Sequence, residues 1–240
     1  MIRNPLIMRK IFRISPKTIL HIGAHRGQDG LSYQKLGAEL VLWGEADSAS
    51  AKILREKFPD DIVVEAVFWS ESGLLVDFYE FKSGASNSAI SPEDLSLVTH
   101  IAKKRTTSLD QLLSVFTFEL PILIVLDVQG AEMQVLAGGL NILSKTKYLV
   151  IEIAEKSQGY KITPSKSDIY EFLNTYGYKP SIKRFSHDKS YFDQLFIKST
   201  YFDFLWISFF DSTLSELKIF KHWFLYRHWP DSAYYCGNCK

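Results

Sequence analysis

The sequence predicts an α/β fold: a seven-stranded, mostly parallel sheet closed by an antiparallel hairpin, with an aromatic C-terminal extension. Three observations predict it. Thr18–Gly27, TILHIGAHRG, is a short apolar strand running into a two-glycine turn and then a helix. Apolar strand, short loop and amphipathic helix then repeat, as a parallel sheet with covering helices requires. Finally, two strand-like segments, Lys179–Phe185 and Gln194–Lys198, are joined only by the polar turn SHDKS.

Each element has its own signal. Asp29–Lys35 reads as a helix stopped at Gly37, a residue suited to a helix C-terminus. Leu40–Gly44 is a second strand, ending in Glu45. Ser48 is placed to cap a helix running to Phe58, where Ala49, Ile53, Leu54 and Phe58 fall at helical spacing and Pro59 ends the run. Ile62–Phe68 reads as a third strand. After the polar turn WSESG, Leu74–Phe81 alternates and is expected to pair antiparallel with its neighbour. Ser83–Pro92, small and polar, fits either a lid over a cleft or a solvated connector. Ser108 caps the short helix SLDQLL, and Pro121 precedes the most apolar strand, Ile122–Asp127, expected at the sheet centre. Ala131–Ala137 reads as helix, Tyr148–Ile153 as a buried strand, and Ser167–Tyr176 as a helix stopped by Gly177.

Three regions follow from this reading: an N-terminal extension, residues 1–17; one α/β domain, 18–199; and the extension 200–240. The last is dense in Phe, Tyr and Trp and must pack on the domain or on a partner, such as a second copy. The 240 residues, 46% hydrophobic, suffice for one such core. A formal charge of +1 gives no electrostatic footprint for nucleic acid. The N-terminal run is broken by Asn4, Pro5 and Arg9 before a signal-peptide core forms, and no stretch is long enough to span a bilayer, so a cytoplasmic location is expected. Cys236 and Cys239 are the only cysteines, which excludes a disulfide framework. With His222 and His228 they have the residue types of a zinc site, but one CxxC with no standard histidine spacing reads as a free dithiol, and no metal is expected.

The candidate site lies at the first turn. Gly23 and Gly27 allow positive φ and close approach of a ligand, and the first N–H groups of the following helix are expected to point outward, favouring a polar or anionic group. A nucleotide-like cofactor fits. Glu45, 22 positions after Gly23 at the end of the next strand, is placed to accept both ribose hydroxyls, though an exposed loop acid is otherwise unremarkable. Asp127 closes a very apolar strand, where a carboxylate is costly unless it faces the crevice at the sheet edge or caps the next helix. Glu152 ends the adjacent strand on the same edge. Glu132 sits where a helix dipole favours an acid, and His25 lies in the turn itself, facing either ligand or solvent.

With these residues in view, the chain resembles the FkbM family of S-adenosylmethionine-dependent methyltransferases from about Ile19 to Lys198. HIGAHRGQ is similar to that family's DVGANxGQ, GEADSASAKIL to its EPxxxxxxxL, RTTSLDQLL to VxTLDxLL, IVLDVQGAEMQVLAGG to LKIDVEGxExxVLxGa, and FDQLFIKS to its closing GDxLFV strand. The resemblance implies a class I, Rossmann-like methyltransferase fold, which ends with an antiparallel seventh strand where nicotinamide-binding domains continue with a parallel one.

It also implies S-adenosyl-L-methionine as cofactor, with Gly23, Ala24, His25 and Gly27 around its methionine moiety, Glu45 on the ribose and Asp127 beside the sulfonium. Family members methylate hydroxyl oxygens, often on sugars of surface polysaccharides or on natural products, so the implied partner is a small-molecule or glycan acceptor. Asp127, Glu152 and His25, in that order, are the candidate bases. Three positions depart from the pattern: His21 stands where an aspartate usually helps hold the cofactor's ammonium group, Ala46 where a proline is usual beneath the adenosine, and Gln129 where a glutamate is usual. Two other readings stay open. A nicotinamide-dependent oxidoreductase would use Glu45 equally well, although the GxxxG spacing and the hairpin speak against it. A cofactor-binding scaffold without turnover is the other.

Overall fold

The computed structural model describes residues 5, 9, 14–154, 159–161, 163–186 and 191–198. The SHDKS turn beyond Ser186, the aromatic extension and the CGNC motif lie outside the described residues.

The main sheet has seven strands: β1 (Thr18–Ile22), β2 (Leu40–Glu45), β3 (Ile62–Glu65), β7 (Ile122–Leu126), β8 (Tyr148–Ala154), β9 (Tyr178–Ser186) and β10 (Tyr191–Lys198). Their order is β3-β2-β1-β7-β8-β10-β9. β1, β2, β3, β7 and β8 are mutually parallel, while β10 runs antiparallel to both β8 and β9 and is inserted between them. The chain builds outward from β1 to β3, then restarts at β7 on the other side of β1. The carboxyl ends of β1 and β7 therefore form a topological switch point, where open sheets of this kind bind ligands.

Alternation along the strands separates two cores. Leu20, Ile22, Ile124, Leu126, Leu149 and Ile151 pack beneath helices α3 (Leu109–Val115), α4 (Glu132–Ala137), α5 (Leu140–Lys145) and α6 (Lys166–Thr175). On the opposite face, Ile19, Val41, Trp43, Leu123 and Val125 pack with residues of α1 (Gly30–Leu36) and α2 (Ser48–Lys57). There Tyr33, Trp43 and Phe58 stack, with ring centroids 5.5 and 4.7 Å apart. Each fully buried aliphatic side chain contributes about 1.5–3 kcal/mol, which is why the unbroken apolar run of β7 and the largely apolar β1 beside it occupy the centre.

Several boundaries move for identifiable reasons. The cap of α2 is Asp47, which accepts from the Ser50 backbone N–H at 2.8 Å; Ser48 is the first helical residue. Ser108 caps α3 and Ser165 forms a reciprocal capping box with Asp168. The expected strand Ile62–Phe68 breaks at Ala66: Val67–Phe68 is a separate strand, β4, pairing with β6 (Val98–Thr107). β6 was not legible in advance, because VTHIAKKRTT is mostly polar and half exposed. It also takes β5 (Leu75–Phe81) as an antiparallel partner, making a second sheet ordered β4-β6-β5. Among the described residues no helix is long and apolar enough to cross a membrane.

Candidate functional site

A cavity of about 410 Å³ opens at the switch point, lined by the loop after β1, the ends of β2, β7 and β8, β4, and the 83–92 loop. Its volume is that of a small-molecule site.

Gly23 is required by the sheet itself. At φ +83°, a Cβ there would sit 1.8 Å from the Asp127 carbonyl oxygen, so the turn from β1 passes against β7 with no room for a side chain. Gly27, at φ +65°, is held against Phe58 and Leu54 of the α2 region and does not line the cavity. At the start of α1 the expected outward-facing N–H groups of Gly30, Ser32 and Tyr33 donate to the Gly27 and Asp29 carbonyls, and in the loop Gly23 and Ala24 donate to the Gly44 carbonyl, Gly27 to Ala24 and His25 to Glu45.

Glu45 is buried at the end of β2 and lines the cavity beside Ala46. Its Oε2 accepts from His25 N at 2.6 Å and its Oε1 from Asp47 N at 2.7 Å, so the carboxylate ties the β1 turn to the β2 loop. Burial pushes it up to about 7, against the opposing effect of those two donors. Each oxygen keeps a further lone pair for a hydroxyl donor.

Asp127 and Glu152 meet across the ends of β7 and β8. Gln129, in the left-handed region at φ +53°, donates Nε2–H to Asp127 Oδ1 at 2.7 Å and to Glu152 Oε2 at 3.1 Å. Burial, and then the charge of Asp127, push Glu152 up to about 10. Packed together away from water, the two acids hold a proton between them more tightly than an isolated carboxyl would. Asp127 is also raised by burial, opposed by the hydrogen bonds from Gln129 and Glu152. Asp193 on β10, in register with Glu152 and fully buried, adds negative charge to the pair. Sequence reading passed over Asp193, although an acid inside the apolar run YFDQLFIK was a usable signal.

Glu132 does not face the cavity. It is buried in the first turn of α4 and accepts from Val128 N at 3.3 Å and Gly130 N at 3.2 Å, bracing the loop that carries Gln129. Burial pushes it up to about 7. His25 sits in the loop at φ +48°, its Nδ1 bonded to Gln28 at 2.9 Å, its Nε2 buried with no partner, and its basicity lowered by burial. His21 is buried on β1, with Nδ1 bonded to the Tyr33 hydroxyl at 2.8 Å. Burial pushes its imidazole down to about 4, so it is neutral.

The 83–92 loop is a tethered wall of the cavity. Ser88 is buried and pairs with Tyr79 of β5, its hydroxyl donates to the Gln129 carbonyl at 2.8 Å, and the Tyr160 hydroxyl holds Ser86 O at 2.7 Å. Phe78, Val67 and Phe68 supply an apolar wall that sequence reading had not placed at the site, because the second sheet positions it. Among the described residues no cluster of His, Cys, Asp or Glu has the arrangement of a metal site.

These features can be set beside known proteins. No curated protein matches the sequence. In the solved structures, the chain is similar to an rRNA methylase from Streptococcus thermophilus (10% identity, 83% of this chain and 99% of that one, TM-score 0.46). It is also similar to a SAM-dependent methyltransferase from Aquifex aeolicus (13%, 82% and 90%, 0.43). A third is the magnesium protoporphyrin IX methyltransferase of Synechocystis, crystallised with SAM (12%, 75% and 69%, 0.40). Residues 21–180 match the family described as the methyltransferase FkbM domain, from His21 of β1 into β9. The chain belongs to the FkbM methyltransferase family.

Proposed function

We propose that this protein transfers a methyl group from S-adenosyl-L-methionine to a hydroxyl oxygen, on a sugar or glycan acceptor. The observation that carries the reading is the line of groups along the sheet edge: Glu45 at the end of β2, the tight Gly23 turn of β1, and the Asp127–Glu152 pair on β7 and β8, all bordering one cavity. At about 4.8 Å per strand, Glu45 and Asp127 stand roughly 10 Å apart, a span suited to a ligand with a sugar at one end and a reacting centre at the other.

The residues fit such a ligand. Glu45 is fixed by two backbone donors with its remaining lone pairs available for vicinal hydroxyls, and Val67, Phe68 and Phe78 give an apolar surface for a flat ring. When bound, the sulfonium supplies an already activated methyl group. The protein's part is then alignment and proton handling. Burial and the charge of Asp127 raise Glu152 to about 10, which disfavours it as the base near neutral pH, and the Gln129 N–H holds Asp127 in position. Asp127, with a raised proton affinity, is left as the acceptor for the hydroxyl proton. His25, whose Nδ1 accepts from the Gln28 amide and whose Nε2 therefore carries the ring proton, is placed to donate a hydrogen bond rather than to take the hydroxyl proton.

Two measurements test this. Calorimetric titration with S-adenosylhomocysteine should show binding, and titration with NAD should not; the reverse result would favour an oxidoreductase. Transfer of labelled methyl to a panel of sugar nucleotides and glycans should give product that Asp127→Asn reduces by roughly 100-fold or more while leaving cofactor affinity unchanged. An Asp127→Asn enzyme turning over at the wild-type rate would remove that residue's role, and cofactor binding without transfer across the panel would favour a scaffold protein.

A further inference from the structure

We propose that the acceptor end of the cavity selects an uncharged sugar over its anionic counterparts, such as a uronate, and reads it with two amides each held in one orientation: Gln129, which presents a carbonyl oxygen, and Asn87, which presents an N–H. This rests on the methyl-transfer reading above and deepens it, naming the charge class of the acceptor and the residues that set it.

The orientation of each amide follows from what it already bonds. Gln129 Nε2 lies 2.7 Å from Asp127 Oδ1 and 3.1 Å from Glu152 Oε2. Carboxylate oxygens accept, so the amide nitrogen faces the two acids with both hydrogens engaged, and the carbonyl Oε1 is left as an acceptor on the far side. Asn87 is fixed in the other sense. The Phe81 backbone N–H is a donor and reaches Asn87 Oδ1 at 2.8 Å, which leaves the Nδ2 hydrogens as the available end. Neither Gln129 Oε1 nor Asn87 Nδ2 is sealed from solvent, and both residues line the cavity. They belong to one corner of it, because the hydroxyl of Ser88, next to Asn87, donates to the Gln129 backbone carbonyl at 2.8 Å. A sugar hydroxyl aligned for Asp127 therefore has both a hydrogen-bond acceptor and a donor nearby, a pair that a neighbouring hydroxyl or an N-acyl group satisfies.

The charge of the surroundings decides the class of sugar. Glu45, Asp127 and Glu152 border the cavity, and Asp193 adds negative charge to the Asp127–Glu152 pair. Among the described residues, no lysine or arginine lines it. A carboxylate or phosphate brought to this edge would lose hydration beside like charges, with no cation to pair it. An uncharged ring loses only the hydration of its hydroxyls, which the two amides replace. The glutamate usual at position 129 would keep an acceptor oxygen but add a third acid and remove the donors to Asp127 and Glu152. The amide keeps the acceptor without the charge.

The test measures, by calorimetry, the binding of matched methyl glycosides to the full chain saturated with S-adenosylhomocysteine. Each pair is a hexose and the hexuronate that differs from it only in carrying a carboxylate for the hydroxymethyl group. The neutral member should bind roughly 10-fold or more tightly than its uronate, and labelled methyl transfer should rank the two the same way. Asn87→Asp keeps an oxygen for the Phe81 N–H, so the loop stays tethered, but it replaces the donor with a charged acceptor; neutral glycosides should bind roughly 10- to 100-fold more weakly. Gln129→Lys places a cation at the same corner and should narrow the gap between neutral sugar and uronate to about threefold or less. The Asn87 variant decides the matter even if Gln129→Lys fails to fold. Wild-type binding of both members within about threefold, or undiminished binding of neutral glycosides to Asn87→Asp, would overturn this inference alone. A folded Gln129→Lys that kept the whole gap would overturn the role given to Gln129. Failure of every glycoside to bind the S-adenosylhomocysteine complex would overturn the sugar acceptor, and failure of S-adenosylhomocysteine itself to bind would overturn the cofactor reading; this inference falls with either.

Discussion

Gly23→Ala separates a structural from a ligand-binding role for the glycine of the first turn. The added Cβ would lie 1.8 Å from the Asp127 carbonyl oxygen and 2.6 Å from its carbon, at φ +83°. Backbone atoms of a central strand cannot swing aside as a side chain does, so β1 and β7 must part by more than about 1 Å to reach an ordinary contact. That separation disrupts the bond from Asp127 N to Ile22 O, at 3.0 Å, and strains the one from Gly23 N to Gly44 O, at 2.9 Å. Two buried hydrogen bonds at about 1 kcal/mol each, about 1–2 kcal/mol for the left-handed backbone and about 1–3 kcal/mol of overpacking total roughly 4–7 kcal/mol. A domain with typical stability of about 5–15 kcal/mol would be close to unfolding. Urea denaturation followed by circular dichroism measures this directly. A variant within 1 kcal/mol of wild type that had lost only S-adenosylhomocysteine binding would refute the reasoning and return the glycine to the ligand.

Three further outcomes are expected. In the unliganded protein Glu45 and Glu132 are raised from 4.5 to about 7 and Glu152 to about 10, so above pH 4.5 the folded state holds protons that the unfolded chain has released. Stability should therefore fall as pH rises, by about 3 kcal/mol between roughly pH 6.5 and 8. His21, lowered from 6.5 to about 4, acts with the opposite sign but has almost finished its contribution there; flat or rising stability in urea melts over that window would contradict the buried-acid picture. Gln129→Glu places a third carboxylate between Asp127 and Glu152, removing both Nε2–H donors, and should cost about 2–4 kcal/mol, more at pH 8 than at pH 6. Ser88→Ala removes the hydroxyl that joins the 83–92 loop to the Gln129 carbonyl and to Ile90 N. It should cost about 1–2 kcal/mol and speed proteolytic nicking within 83–92; unchanged cleavage would mean that the loop is held elsewhere.

The sequence by itself determined the succession of strands and helices and the acids that end the strands. Apolar runs of four or five residues ending in Glu45, Asp127 and Glu152 have few places to go but the middle of a parallel sheet, with their charged ends at its carboxyl edge. The family pattern, spread over several ordered segments, named the chemistry. Only the tertiary structure decided what the local pattern leaves open. Gly23 and Gly27 look alike in sequence, yet one is fixed by the β7 backbone and the other by Phe58. β6 pairs despite a polar sequence because β5 and β4 supply its partners, and that second sheet brings Phe78 to the cavity. Proton affinity was likewise invisible: Glu152 is raised because it lies in a site shielded from water with Asp127 and Asp193, 25 and 41 residues away in sequence, packed beside it. Alternation and spacing are written along the chain, whereas desolvation and the meeting of like charges depend on distances that exist only after it has folded.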